Sequence, residues 1–207
     1  IVGLDVTQGL PRVEELFEAR VPKVLSPLAE ISGKVTIAET EEGWRVTIAS
    51  VNLKPKEERE YLIPKTIKLS IEDGQLVDSG TQLAAGSLDM KEILTIRGLR
   101  SAQEYLVNEI QKVYESQGIP INDRHCEVIA RKMSDEVRIV TPGDTKFLPG
   151  DLVDKASFEE ENEKILAAGG EPASGQQVIL GITRRALYTE SWLSAASFEQ
   201  TTDVLTD

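Results

Sequence analysis

The spacing of hydrophobic residues changes character along this chain. In Pro11 to Arg20, PRVEELFEAR, the apolar residues Val13, Leu16 and Phe17 recur at helical spacing and predict an amphipathic helix ending near Arg20, before Pro22. Pro11 suits a first helical turn because the N–H it lacks would find no intrahelical acceptor there. Pro22 and Pro27 bracket an extended connection. From Ala29 to Leu88 the period shortens. Lys34, Thr36 and Ala38 alternate with Val35 and Ile37, and the runs EISGKVTIAE, WRVTIASV, EYLIP, TIKLSI, QLVD and TQLAAG predict six short strands. Glu42-Gly43, Pro64, Asp73-Gly74 and Ser79-Gly80 supply the turns between them. Strands this short and this close predict a small sandwich or barrel.

Helical periodicity returns at Ser101. Ser101 and Glu104 have capping-box spacing, and Ala102, Tyr105, Leu106, Ile110 and Val113 form an apolar stripe that runs through Tyr114 and stops at Gly118. After the turn IPIND, Asn122 is the candidate cap of a second helix whose apolar side uses Val128, Ile129 and Met133, so the two helices form a predicted hairpin. Val137 to Val140 reads as a strand, Ser157 to Ala168 as a helix with Phe158, Ile165 and Leu166 apolar, and Val178 to Leu180 as a further short strand before terminal helices. The fold class is therefore α+β: a small β barrel-sandwich module, a helical hairpin and terminal helices. LPGDLVDKA after Phe147 loosely repeats EDGQLVDSG at Glu72 to Gly80, but the shared residues are mostly turn formers, and coincidence accounts for them.

Charge changes the picture of what such a fold can bind. The net charge is −12; residues 1–100 carry 13 basic and 16 acidic side chains, and residues 101–207 carry 10 and 19. An acidic field repels phosphate, so the chain alone is a poor nucleic-acid binder, and the first half is the better candidate surface. Nothing approaches the roughly 18 apolar residues of a membrane helix. One cysteine, Cys126, leaves no intramolecular disulfide, and cytosol is the default compartment.

Self-sufficient chemistry is hard to find. His125 and Cys126 are neighbours, which on a helix diverge by about 100°, and no other His or Cys can complete a metal shell. Ser191, Ser194 and Ser197 fall at helical spacing, but Ala195 and Ala196 between them point to close packing. Glu57-Glu58 and Glu159-Glu160-Glu161 read as solvated faces. No P-loop, G-x-G-x-x-G or G-x-S-x-G is present. DGQLVDSGTQL resembles the turn phrase of barrel-sandwich hybrid domains, the class that includes lipoyl carriers, yet no Lys sits in that turn for a carrier to use.

Longer phrases carry a resemblance. VTQGLPRVEELFEAR, EILTIRGLRSAQEYLVNEIQKVYESQGIPINDRHCEVIARKM and LGITRRALYTESWLSAASFEQTTDVLT resemble the C-terminal part of the largest, beta-prime, subunit of bacterial multisubunit RNA polymerase. A chain opening at Ile1, and a segment Ser194 to Asp207 that is helical in pattern to its last residue, fit a piece of a longer protein.

The resemblance implies a division of roles. Residues 1–22 correspond to the C-terminal limb of the trigger loop, the mobile hairpin that folds against the incoming nucleoside triphosphate; Gly9, Leu10, Pro11, Arg12, Val13, Leu16 and Phe17 lie on that limb, with Gly9 near its joint. Residues 23–92 correspond to the β-rich jaw beside downstream DNA, 93–135 to the helical hairpin, 136–182 to a second small β/helix segment, and 183–207 to terminal helices packed near the trigger-loop base. In the family phrase, a strand precedes the hairpin. Arg20 and Lys23 are the nucleic-acid candidates, although RVPK stands where the family shows RRPK, Val21 replacing an arginine.

No catalytic or metal-binding residue is carried over. The substrate-contacting limb lies upstream, and the NADFDGD-type motif that holds magnesium in the complete polymerase is absent from this chain. The expected partners are the rest of beta-prime, the beta, alpha, omega and sigma subunits, and downstream duplex DNA, in the bacterial cytoplasm at the nucleoid. The alternative is a free-standing barrel-sandwich scaffold that docks another protein.

Overall fold

The computed structural model describes residues 9–50, 57–189 and 191–198. The chain divides into two compact units. One holds residues up to Glu15 together with Arg20–Ala102; the other holds Leu16–Ala19 together with the chain from Gln103 onward.

The first unit is built on an antiparallel sheet of β1 (Gly33–Glu39), β2 (Trp44–Ala49), β3 (Glu58–Ile63) and β4 (Leu76–Val77), in the order β3-β2-β1-β4. The alternation seen in the sequence sets the register: Val35 faces Ile48 across the ladder and Ile37 faces Val46. Val35, Val46 and Ile48 are fully buried with Ala29, Ile63, Leu83 and Ala84, while Trp44 and Tyr61 pack partly against them. Burying each such aliphatic side chain is worth about 1.5–3 kcal/mol. Gly33 is demanded by the neighbouring strand, since a Cβ there would lie 2.2 Å from the Ala49 carbonyl oxygen.

The sheet is open, and no closed barrel forms among the described residues. Two of the six expected strands, TIKLSI and TQLAAG, are not regular ladders. They pair only through isolated bridges, Leu69 with Ala84 and Leu28 with Gln82, while Leu25 bridges Ser87. Pro27, and Pro64 just ahead of TIKLSI, lack the N–H groups that continuous ladders require.

The strand expected before the hairpin is instead α2 (Met90–Arg97). Asp89 caps it by accepting from the Lys91 N–H at 2.9 Å, and burial of Met90 and Ile93 outweighs the β-branched residues Ile93, Thr95 and Ile96. Its Glu92 carboxylate accepts from the Leu28 N–H at 3.0 Å, and Arg97 donates to the Gly80 carbonyl, so the helix is tied to two loops of its own unit. Burial pushes the Glu92 carboxyl up, partly offset by the Leu28 N–H.

Helix α3 (Leu99–Ser116), which belongs to the second unit from Gln103 onward, starts two residues before the expected cap. Ser101 is inside the helix, its hydroxyl directed to the Arg97 carbonyl, so the capping-box assignment is corrected. The stripe itself holds: Ala102, Leu106 and Ile110 are buried at four-residue spacing. Gly118 ends the helix at φ 70°, and Ile119 donates to Tyr114. Asn122 caps α4 (Asp123–Met133) by accepting from the Arg124 N–H at 3.0 Å.

Gln111 reaches Asp123 at 2.5 Å near the start of α4, and Gln103 reaches Ser134 at 2.6 Å past its end, which makes α3 and α4 an antiparallel hairpin. The buried side of α4 is Cys126, Ala130 and Met133; Val128 is exposed, a correction to the expected stripe.

Beyond the hairpin, β5 (Glu136–Thr141) is the centre of a three-stranded antiparallel sheet, between β6 (Leu152–Asp154) and β7 (Ser174–Val178). β7 therefore ends where the expected strand, Val178 to Leu180, begins. Helix α5 (Lys155–Ala167) is capped by Asp154, and its Phe158 stacks on Phe147 at 6.4 Å. Helices α6 (Ile182–Leu187) and α7 (Trp192–Phe198) follow, with Ala195 and Ala196 buried.

Candidate functional site

The first helix, α1 (Leu10–Phe17), has a permissive start and a strained end. Gly9 sits at φ 69°, and its carbonyl accepts from Arg12 and Val13 at 3.0 and 3.2 Å. Leu10 and Pro11 are exposed, Phe17 is half-buried, and Arg12, Val13 and Leu16 are buried. Arg12 forms a buried ion pair with Glu15 at 2.7 Å, one turn away. At the other end Arg20 donates to the Glu15 carbonyl and Ala19 to Leu16, the two bonds of a Schellman motif, with Ala19 at φ 48° where glycine is usual. A left-handed non-glycine residue costs about 1–2 kcal/mol, so the surroundings must hold it there.

Those surroundings include α6 of the same unit. The Thr183 hydroxyl donates to the Glu18 carboxylate. A Cβ on Gly181 would lie 2.6 Å from the Glu18 carbonyl oxygen and 2.7 Å from its carboxylate, so only glycine permits the approach. The end of PRVEELFEAR and the start of LGITRR, distant in sequence, thus share one contact.

The far side of α6 is held by charge. Arg185 pairs with Glu136 of β5 at 3.0 Å and with Asp154 at 3.1 Å, and it also donates to the Tyr188 carbonyl. The Glu136 side chain is only 3% exposed. Burial pushes its carboxyl up, Arg185 draws it back down, and Asp154 adds to the rise. The Arg185 Nε is buried with no hydrogen-bond acceptor among the described residues. Beside it lies a mainly apolar groove of about 510 Å³ lined by residues including Val128, Ile129, Met133, Ile182 and Ala186.

Of the two nucleic-acid candidates, Arg20 is exposed and bridged to Glu14 at 3.0 Å, while Lys23 is exposed on the extended connection. Two cations of the four-stranded sheet and one just past β3 are matched by carboxylates: Arg45 with Glu60, Arg59 with Glu30 and Lys65 with Glu39. The acidic run on α5 is similarly divided, Glu159 with Lys155, Glu160 with Lys164 and Glu161 with Lys146. His125 is exposed and Cys126 buried, so the adjacent pair faces two environments, and burial pushes the Cys126 thiol up. Ser191, Ser194 and Ser197 lie along one exposed edge of the α7 region, with Ala195 and Ala196 turned inward.

Glu18, Gly181, Thr183, Glu136 and Arg185 escape a reading by local pattern. Glu18 and Thr183 are 165 residues apart, and no periodicity links them. The one local signal is a glycine placed directly before a helix without a side-chain cap.

Residues 5–190 match the family model described as RNA polymerase Rpb1, domain 5. Over all 207 residues the chain is 49% identical to the DNA-directed RNA polymerase subunit beta' of Acidothermus cellulolyticus, of which it covers 16%. It is 51% identical over the same span to that of Caldicellulosiruptor saccharolyticus, covering 18%, and 48% identical over 205 residues to that of Thermobifida fusca, covering 16%. The chain belongs to the family of the largest, beta-prime, subunit of bacterial DNA-directed RNA polymerase, and within it to the C-terminal region. It spans less than a fifth of the length of these relatives.

Proposed function

We propose that this chain is a non-catalytic part of RNA polymerase that carries the C-terminal limb of the trigger loop on α1, braces the base of that limb, and contributes a wall to the downstream DNA channel. The observation that carries the reading is the contact of Glu18 with Gly181 and Thr183, which joins the limb motif to the motif expected to pack beneath it. Magnesium and the groups that bind the reacting nucleotide belong to other parts of the enzyme. The partners are the remainder of beta-prime and the other polymerase subunits.

The DNA-facing role rests on Arg20 and Lys23. Carboxylates pair with Arg45 and Arg59 on the sheet and with Lys65 beside it, which favours the connection after α1 as the cationic path. The Arg20–Glu14 bridge is exposed at both ends and costs little to exchange for a phosphate. The wrapping of Leu25, Leu28 and Leu69 onto residues 82–87 through single bridges is the feature that fits a barrel-sandwich ancestry for this jaw-like unit.

Two measurements test the reading. The purified chain should add no nucleotides to a primed RNA scaffold, and polymerisation above background would refute the non-catalytic assignment. In an assembled elongation complex, photo-crosslinkers at positions 20 and 23 should label downstream duplex, and labelling from elsewhere alone would move the DNA wall.

A further inference from the structure

Helix α4 has two faces of different character. One is buried on Cys126, Ala130 and Met133. The other is exposed, and in its middle stands an aliphatic residue, Val128, at 65% exposure. Arg124 and His125 lie one turn before Val128, and Arg131 and Lys132 one turn after it, all four exposed. A helix C-terminus favours cations such as Arg131 and Lys132, but a cation in the first turn, where Arg124 sits, opposes the macrodipole. Helix stability therefore does not account for Arg124.

The second unit pairs most of its cations internally. Lys112, Lys146, Lys155, Lys164 and Arg185 each face a carboxylate, and Lys132 bridges Asp135. No carboxylate pairs with Arg124 or Arg131 among the described residues; the acidic residues on α4 itself are Asp123 and Glu127. Beside this face runs the groove of about 510 Å³. The Leu180 N–H donates to the Met133 carbonyl at 2.9 Å, which sets the start of α6 against the end of α4, and Ile129 and Met133 line the groove with Ile182 and Ala186. Ile182 is 41% exposed. Arg185 and Asp154 in the wall are bound to each other, so the groove is an apolar trench edged by arginines that have no acidic partner.

We propose that the groove between α4 and α6 is the docking site of an acidic amphipathic helix from the remainder of the beta-prime polypeptide, its aliphatic side chains beside Val128 and in the groove, its carboxylates against Arg124 and Arg131. Such a helix enters a hydrophobic groove through apolar residues at three- and four-residue spacing, while its charges set orientation. Nucleic acid fits less well, because the floor is apolar, Asp123, Glu127 and Asp154 repel phosphate, and residues 101–207 carry 19 acidic side chains against 10 basic. A second copy presenting the same face would set arginine against arginine. The chain covers 16–18% of the length of its relatives, so most of such a subunit lies outside it, and a helix on the same polypeptide arrives at high effective concentration. The inference stands on family membership and is independent of the roles given above to α1 and to the DNA wall.

The test is crosslinking in the complete polymerase from a photo-reactive residue at position 128. It should capture one segment of the remaining beta-prime, apolar at helical spacing and flanked by Asp or Glu. A synthetic peptide of that segment should then bind the 207-residue chain. Val128→Asp should weaken binding by on the order of tenfold or more, the loss of an anchor at the centre of an interface. Val128→Ala, which favours the helix, should also weaken it while the far-UV melting midpoint stays at or above that of the parent. Arg124→Glu/Arg131→Glu should weaken binding at low salt and less at high salt, and changing the peptide's carboxylates to lysines should restore it. Crosslinks confined to nucleic acid, to another subunit or to a second copy, a captured segment without acidic flanks, or no crosslink at all would overturn the proposal. Unchanged peptide affinity in the folded variants would overturn it too.

Discussion

Replacing Arg185 by Met removes the cation paired with Glu136 while keeping most of the side-chain volume. Glu136 is 3% exposed at the side chain, with Asp154, Asp135 and Lys132 as further charged neighbours, so the variant leaves a buried carboxylate beside two others with only Lys132 to offset them. Breaking a buried pair from one side costs about 3–5 kcal/mol, more than the pair itself contributes relative to an apolar replacement.

The cost depends on pH with a definite sign. The Glu136 carboxyl is already raised by burial in the parent chain, so the native state binds more protons than the unfolded chain. Its contribution is therefore fully present below the ordinary carboxylate range and is lost as pH rises through the raised native value. Without Arg185 that native value rises further, and the penalty should grow by about 1.4 kcal/mol per pH unit between the unfolded and native values.

Urea unfolding of the second unit at pH 5 and pH 8, followed by exchange of the β5 amides, measures both quantities. The expected result is a deficit near the lower bound at pH 5 and a larger one at pH 8, with Arg185→Met/Glu136→Leu regaining most of it. A loss below about 1 kcal/mol that is the same at both pH values would refute the argument that Glu136 is held by Arg185.

Gly33→Ala should destabilise the first unit by about 1–3 kcal/mol, because its Cβ meets the Ala49 carbonyl oxygen at 2.2 Å; Trp44 fluorescence during urea unfolding reports it, and an unchanged midpoint would show that the strands separate freely. Asn122→Ala should cost about 1 kcal/mol by leaving the Arg124 N–H without its cap, visible as a lower helical melting midpoint, and no change would mean solvent replaces the cap at no cost. The Cys126 thiol, raised by burial and by Asp123 and Glu127, should react with a disulfide reagent at pH 8 much more slowly than free cysteine and reach the free rate in urea; fast labelling of the folded chain would contradict its burial.

Local physics was legible where one rule acted alone. The alternation around Val35 and Ile37, the Ala102–Leu106–Ile110 stripe, the Asn122 cap and the Gly118 stop are each decided within a few residues, and the folded chain keeps them. The errors arise where tertiary context competes. EILTIR has strand-like β-branching but is capped by Asp89 and buried on one face as a helix, and Val128 gives way to Cys126 and Ala130 because α4 turns its smaller residues inward. The capping-box spacing of Ser101 and Glu104 was overridden because α3 begins earlier, at Leu99. In the candidate site, Val13 and Leu16 were readable from periodicity. The Glu18–Thr183 contact was not, since only the folded chain brings the two motifs together.

The single bridges of the first unit bear on how the chain is made. Leu25 pairs with Ser87, a closure spanning 62 residues, whereas β1 and β2 meet across a short turn. At about 5–20 residues per second of synthesis, Leu25 waits roughly 3–12 s for its partner to be made. The β1–β2 hairpin can form during that interval, but Leu28 and Ala29 stay without the residue 81–88 segment that buries them. On the ribosome this unit is thus a half-built sheet with an uncovered apolar face, and residues 81–88 act as the clasp that closes it.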